Sequence, residues 1–390
     1  MKTRVKRCVL ALSFVAFAMS VARPAEAQLG SLIKGAQTVK KFSDIKVTEA
    51  EEQQIGKQVS DKMVEAFGVY QDPAVNKYVT LVGAVLAQAS TRPQLPWQFV
   101  ILDTEGVNAF AAPGGYVHIT KGLLGMLKTE AELAGVLSHE LIHVTEKHTV
   151  NAIQKSESVK ATTDEVGAGG LAASVVSRIA QRAYSDILNN KFSRDDEVEA
   201  DDKGVQLANK LGYAPSGLVS ALNKLADRNK DAKEPNGLFA SHPLMKERTD
   251  LIEKTIKEKK LTATATVQAR YAKNVTFDAK PTSAIATVAE GSRGLAGSGG
   301  DKKPADDKKA ADDKKAAEAK KEEEPKKSGG MLSKFKPSSG SQAQQSQTVA
   351  SAGARGVVPD RDAVGGSNKN RVPVKVGPGD IAEFQKGIVA

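Results

Sequence analysis

Apolar positions recur three and four apart over Ile55–Phe67 and again over Ala74–Ala89, the spacing of helices with one buried face. Asp72-Pro73 between them is a turn and helix-start pair. The pattern then changes. Gln98–Leu102 (QFVIL) predicts a strand, and Val107–Ala111 and Tyr116–Thr120 predict two more, joined by Ala112-Pro113-Gly114-Gly115. Helical spacing returns and persists to about Lys259, after which Thr262–Ala272 reads as an extended stretch. The pattern is that of an α+β domain, mainly helical around a small sheet.

From Gly291 onward the apolar periodicity is lost. DDKKA occurs at 306–310 and again at 312–316, and Phe335 is the only aromatic between residues 281 and 380. Segment 301–327 holds ten lysines and nine acids, a mixed-charge run with too little apolar surface to offset its ordering entropy. The expected organisation is a folded domain over 28–260 and an uncertain extension over 261–290. A low-complexity disordered tail over 291–379 follows, ending in a short helix over 380–390.

At the other end, residues 1–7 are basic, Cys8–Ala22 is apolar and Ala25-Glu26-Ala27 follows, the three parts of an export signal cleaved after Ala27. Cleavage removes five basic residues and one acid, taking the formal charge from +10 to +6 and leaving no cysteine. A disulfide framework is excluded. The basic charge is diffuse and lacks interleaved aromatics, which argues against a nucleic-acid partner.

All five histidines lie between residues 118 and 242, and three fall in the helix predicted from Thr129 to about Thr149. Thr129 with Glu132 has capping-box spacing. His139-Glu140-Leu141-Ile142-His143 is an HExxH motif. At about 100° per residue His143 sits roughly 40° round from His139, one turn along, so both imidazoles can grip one metal with Glu140 beside it. His148 would lie about 140° from His143 on an unbroken helix and reads as a core histidine.

A third ligand must come from elsewhere. Glu197 and Asp201 are spaced i, i+4 within Asp195–Leu211, hence on one face. With the motif upstream, Glu197 reads as a ligand and Asp201 as the acceptor that fixes a ligand histidine's tautomer; a solvated acidic helix start is the alternative. Glu199 points to another face, toward the surface.

Four blocks resemble the M48 family of zinc metallopeptidases. They are Asn108–Val117 (NAFAAPGGYV) running to Gly122-Leu-Leu, the HExxH helix, Ser193-Arg194 with Glu197 and Asp201, and Ser241-His242-Pro243 ending at Arg248. The resemblance covers about 49–260. It implies a zincin-like fold and one Zn²⁺ held by His139, His143 and Glu197, with Glu140 as general base. His242 or Arg248 would then steady the oxyanion, or His242 would latch the metal. A strand left free beside the Pro-Gly-Gly turn would let Asn108 and Ala109 contact an extended substrate through their backbone, with His118 an exposed strand histidine nearby. Residues 153–192, between the two metal helices, suit a lid over the cleft, a membrane contact or a mobile loop.

The family implies an endopeptidase acting on unfolded or misassembled envelope proteins in the periplasm. The tail would offer peripheral contact with membrane or envelope polymer. A non-hydrolytic chaperone or adaptor retaining the metal is the competing expectation.

Overall fold

The computed structural model describes residues 39–41, 46–155, 160–162, 165–167, 170–189, 192–231, 242, 245–288 and 358–389. The expected export signal, the charged tail over 291–357, and Ser241 and Pro243 lie outside them.

Two helices open the domain. Helix α1 (Glu49–Phe67) starts at a Thr48–Glu51 capping box and stops at Gly68, whose φ of 70° suits a residue without Cβ. In α2 (Pro73–Ala89), Asp72 accepts the N–H groups of Ala74 and Val75 and Pro73 occupies the first turn. The three expected strands follow as β1 (Gln98–Leu102), β2 (Ala109–Ala112) and β3 (Tyr116–Thr120). β3 lies in the centre, parallel to β1 and antiparallel to β2.

Alternation along these strands divides the core in two. Phe99, Ile101, Ala109, Ala111, Val117 and Ile119 belong to one buried cluster, together with α2 and α4 (Glu130–Thr145). Val100, Leu102, Phe110, Ala112 and Tyr116 belong to the other, with α1 and α6 (Ala173–Asn189). Between β3 and α4 runs the short helix α3 (Lys121–Met126). Helix α5 (His148–Lys155) follows α4 directly.

α7 (Arg194–Lys210) packs along α4, and α8 (Ser216–Asn229) packs on α4 from another side. α9 (Met245–Glu258) lies across α7 and α8. Beyond it, residues 262–266 form no strand apart from a bridge between Ala265 and Tyr213, Val267 is left-handed, and α10 (Gln268–Asn274) begins where an extended stretch was expected. Tyr271 is buried there, with its hydroxyl donating to the Leu124 carbonyl at 2.6 Å.

Three departures from the sequence pattern matter for the site. First, the helix predicted to reach Thr149 ends at Thr145. Lys147 adopts a left-handed φ of 59° and α5 starts at His148. Arg92 donates to the last-turn carbonyl of Val144 while Glu52 pairs with both Arg92 and Lys147, so packing from α1 stabilises the break. Only half of the Thr129 capping box forms. Thr129 accepts from Glu132 N–H, but the Glu132 carboxylate turns to Lys128 N–H, Ser220 and Lys224.

Second, much of the 153–192 segment is neither lid nor loop. α6 buries Val175, Val176, Ile179, Ala180, Ala183 and Ile187 against α1, and each buried valine or isoleucine contributes about 1.5–3 kcal/mol.

Third, residues 358–379, expected to be tail, pack on the domain. Asp360 forms two 2.9 Å contacts with Arg228 and accepts from Val107 N–H. The Asn368 carbonyl accepts from Val69 N–H. Gly366 fits because a Cβ there would lie 2.1 Å from the Asp103 carboxylate. The chain ends in α11 (Pro378–Val389), which seats Ile381 and Ile388 in the core of α2 and α4. Composition could not show this, since the anchors are a few separated side chains within a polar segment.

Candidate metal centre

α4 carries HExxH and is buried along its whole length, so both its core side and its site side are covered. His139 and His143 emerge one turn apart with their Nε2 atoms 3.0 Å from each other. α7 supplies Glu197, whose Oε1 lies 3.5 Å from His143 Nε2 and whose Oε2 lies 3.7 Å from His139 Nε2. His242 enters from outside both helices. Its Nδ1 is 3.3 Å from His139 Nε2 and 2.7 Å from Glu197 Oε1. All four side chains are buried, and one ligand atom from each fits within a 4.8 Å group.

These distances test the fit of a metal directly. Donors around a tetrahedral ion with bonds of 2.0–2.1 Å sit about 3.3 Å apart, and the observed separations straddle that value. Two imidazole Nε2 atoms, a third imidazole nitrogen and a carboxylate oxygen face one another across this buried point. Three imidazoles and a carboxylate form a donor set suited to Zn²⁺ or a neighbouring first-row ion.

The supports are as specific as the donors. Asp201, one turn beyond Glu197, places Oδ1 2.9 Å from His139 Nδ1, as the tautomer argument requires. Arg248 on α9 grips Asp201 with two 2.7 Å hydrogen bonds, donates to the His242 carbonyl at 3.3 Å and lies 3.1 Å from Glu197 Oε2. The guanidinium expected to steady the oxyanion thus contacts Asp201, Glu197 and the His242 backbone.

Glu140 is wholly buried, and neither carboxylate oxygen has a hydrogen-bond partner. His242 Nε2 lies 3.8 Å from Glu140 Oε1. Burial pushes its pKa up, with the Glu197 charge adding to the shift and the His242 and His139 charges opposing it. Glu197 behaves oppositely. Burial raises it, but the charges of His242 and Arg248 outweigh that and hold the carboxyl below its usual range. His242 is raised, because Glu197 outweighs the cost of burial, while His143 is held well below an ordinary histidine by burial and by the other imidazoles.

Asn108 and Ala109 stand at the outer strand of the sheet, yet β2 is covered. Both residues are buried, and Ala109 N–H donates to the Asn108 side chain at 2.9 Å. His118 is not an exposed strand histidine. It is fully buried on the α1 face, 2.7 Å from Ser60 Oγ. Three neighbours of the site were not assigned to it from sequence: His148 beside His143, Glu199 beside His148, and Phe192 stacked on His143 at 4.0 Å. Only the helix break brings His148 there. Phe192 has no sequence signal beyond lying just before α7.

The paired histidines on one helix, the carboxylate from a second and the free glutamate between them define an HExxH metal site of the metallopeptidase class. Residues 73–256, a little under half of the chain, match Peptidase family M48. It is 27% identical to the Beta-barrel assembly-enhancing protease of Escherichia coli over 206 residues, 51% of this chain and 42% of the relative. Against the Putative beta-barrel assembly-enhancing protease of Vibrio cholerae the figures are 29%, 46% and 39%. With Metalloprotease YcaL of Escherichia coli it shares 34% identity over 165 residues, covering 41% of this chain and 63% of the relative. The chain thus matches about two fifths of the length of the assembly-enhancing relatives.

Proposed function

We propose that the protein is a zinc-dependent endopeptidase acting on exported, envelope-located proteins. The observation that carries this reading is the unpartnered, buried Glu140 carboxylate beside four converging donors. A purely structural site has no use for such a group. His139, His143 and Glu197 would hold the metal. When bound, zinc polarises the scissile carbonyl and lowers the pKa of its water from about 15.7 to about 7.

The chain's own residues do the rest. Glu140 takes a proton from the attacking water onto its carboxylate and delivers it to the leaving amine nitrogen. Asp201 holds the His139 proton at Nδ1, which keeps Nε2 free as a donor. Arg248 fixes Asp201 and the His242 backbone together. The position of His242 within the donor set favours a fourth-ligand latch that yields to substrate over an oxyanion role. Asn108 and Ala109 would meet an extended peptide once the cover of β2 moves.

Export through residues 1–27 and a periplasmic location belong to the same reading, and relatives named as assembly-enhancing proteases support it. Among the described residues no helix is long and apolar enough to cross a membrane. Unfolded or misassembled envelope proteins are the proposed substrates, with peripheral contact to membrane or envelope polymer left to the tail and no nucleic acid involved.

The test uses the purified chain beside Glu140→Gln, with zinc content and casein cleavage measured with and without chelator. Zinc in both proteins, with chelator-sensitive cleavage only in the first, supports the reading. Zinc without cleavage in the unsubstituted chain favours the adaptor alternative unless His242→Ala releases activity.

A further inference from the structure

The two histidines of the motif are supported differently, and only one support is accounted for above. His139 Nδ1 faces a carboxylate directly, Asp201, which is itself clamped by Arg248. His143 Nδ1 faces another imidazole, His148 Nδ1, at 2.8 Å. The far nitrogen of that ring, His148 Nε2, lies 3.2 Å from Glu199 Oε2. Lys203 occupies the other oxygen of Glu199 at 2.7 Å and also reaches Glu146 at 3.0 Å. Asp196 stands 3.8 Å from the same His148 nitrogen. Both lines therefore end on a carboxylate of α7 held by a cation, and the second has an imidazole inserted.

From this arrangement we infer that His148 is a positioning residue that accepts the Nδ1–H of His143 and passes its own Nε2–H to Glu199. The inference rests on the metal-site reading of His143. At 2.8 Å between two ring nitrogens, one must carry the proton and the other the lone pair. His143 Nε2 faces the other donors and must offer a lone pair to a metal, so its proton is on Nδ1. His148 Nδ1 is then the acceptor, its proton is on Nε2, and a carboxylate stands where that proton points. Each link determines the next, and both nitrogens of both rings have an assigned role. Phe192, stacked on His143, restrains the plane of the same ring.

The relay depends on the break in the motif helix. An unbroken helix would carry His148 about 140° round from His143. The left-handed Lys147 and the restart at His148 bring the ring back under the site.

The experiment compares the full chain with His148→Phe, His148→Asn and Glu199→Ala. Zinc affinity is measured by competition with a chromogenic chelator. The tautomer of His143 is read by ¹⁵N NMR of histidine-labelled, metal-free protein. Phenylalanine keeps a ring without an acceptor, so zinc should bind about 10–100-fold more weakly, the range typical of lost partners behind metal ligands. Asparagine restores an acceptor oxygen near the Nδ1 position and should recover most of the affinity, which mere filling of space would not do. Glu199→Ala, at a half-exposed position that folding tolerates, should weaken binding in the same direction by less. The His143 proton should sit on Nδ1 in the unsubstituted chain and leave it in His148→Phe. Equal zinc affinity in His148→Phe with the proton still on Nδ1 would overturn the relay. If the unsubstituted chain bound no zinc, the metal reading would fail, and the tautomer measurement alone would still decide whether His148 sets the His143 proton.

Discussion

Two buried histidine sites lie on different faces of the same small domain, and they are built oppositely. On the α1 face of the sheet, His118 is paired with Ser60, which in turn accepts from Arg371, whose charge lies close to the imidazole. At the α4–α7 junction, His139, His143 and His242 turn nitrogens toward one another and toward Glu197, and Glu140 is left with no partner at all. Burial is equal in the two places. Donors converging on a shared point, beside a carboxylate that nothing satisfies, distinguish a chemical site from a structural histidine.

Substitutions can break that contrast. The largest effect is expected from Glu140→Gln, which should retain zinc and lower kcat for peptide hydrolysis by about 10²–10⁴-fold, the usual worth of a positioned acid–base group. Wild-type turnover in that variant would remove Glu140 from the proposed role. Next comes Arg248→Ala. It strands Asp201 and Glu197 as buried charges, so unfolding by denaturant should show a loss of about 3–5 kcal/mol.

An exposed pair on the same helix provides the control. Lys246 and Asp250 are mostly in solvent, and Lys246→Ala should change stability by less than about 1 kcal/mol.

His118 sharpens the comparison from the other side. Burial, with Arg371 nearby, pushes its pKa down from 6.5 to about 3. The folded state therefore refuses a proton that the unfolded chain accepts below about pH 6.5. Stability should fall as pH drops from that value toward 3, by up to about 1.4 kcal/mol per pH unit from this residue. His118→Gln should flatten that slope in denaturant titrations at pH 4–6 while leaving zinc content unchanged. An unchanged slope would show that His118 is already protonated in the folded protein. A loss smaller than that at Arg248 is expected at the returning C-terminal segment. There Asp360→Asn weakens a pair with Arg228 but keeps acceptors for Val107 N–H, and a loss of about 1–2 kcal/mol would match one charge-assisted hydrogen bond.

Much of this was legible in the sequence because it is local. Short apolar and β-branched runs bounded by turn residues marked β1 and β3 at their observed bounds, and i, i+4 spacing put His139 with His143 and Glu197 with Asp201. Both rules act within one element, where backbone geometry alone sets which side chains share a face. His148 is buried, as expected of a core histidine, but on a different face, since the reasoning assumed a helix continuing past Thr145. The end of the tail was misjudged, since average composition is blind to a few well-placed anchors.

Which residues meet across elements was decided by tertiary structure. Glu52 on α1, far away in sequence, stabilises the helix break by pairing with Lys147 there and with Arg92, which reaches the Val144 carbonyl. That break moves His148 from an expected core face to the back of the His143 ring. Packing of α9 on α7 closes Arg248 over Asp201 and holds the His242 backbone, joining residues more than forty positions apart. Spacing along a chain determines what one helix presents. Where those faces converge depends on how elements exclude water together, and in this protein that packing turned a motif into a site.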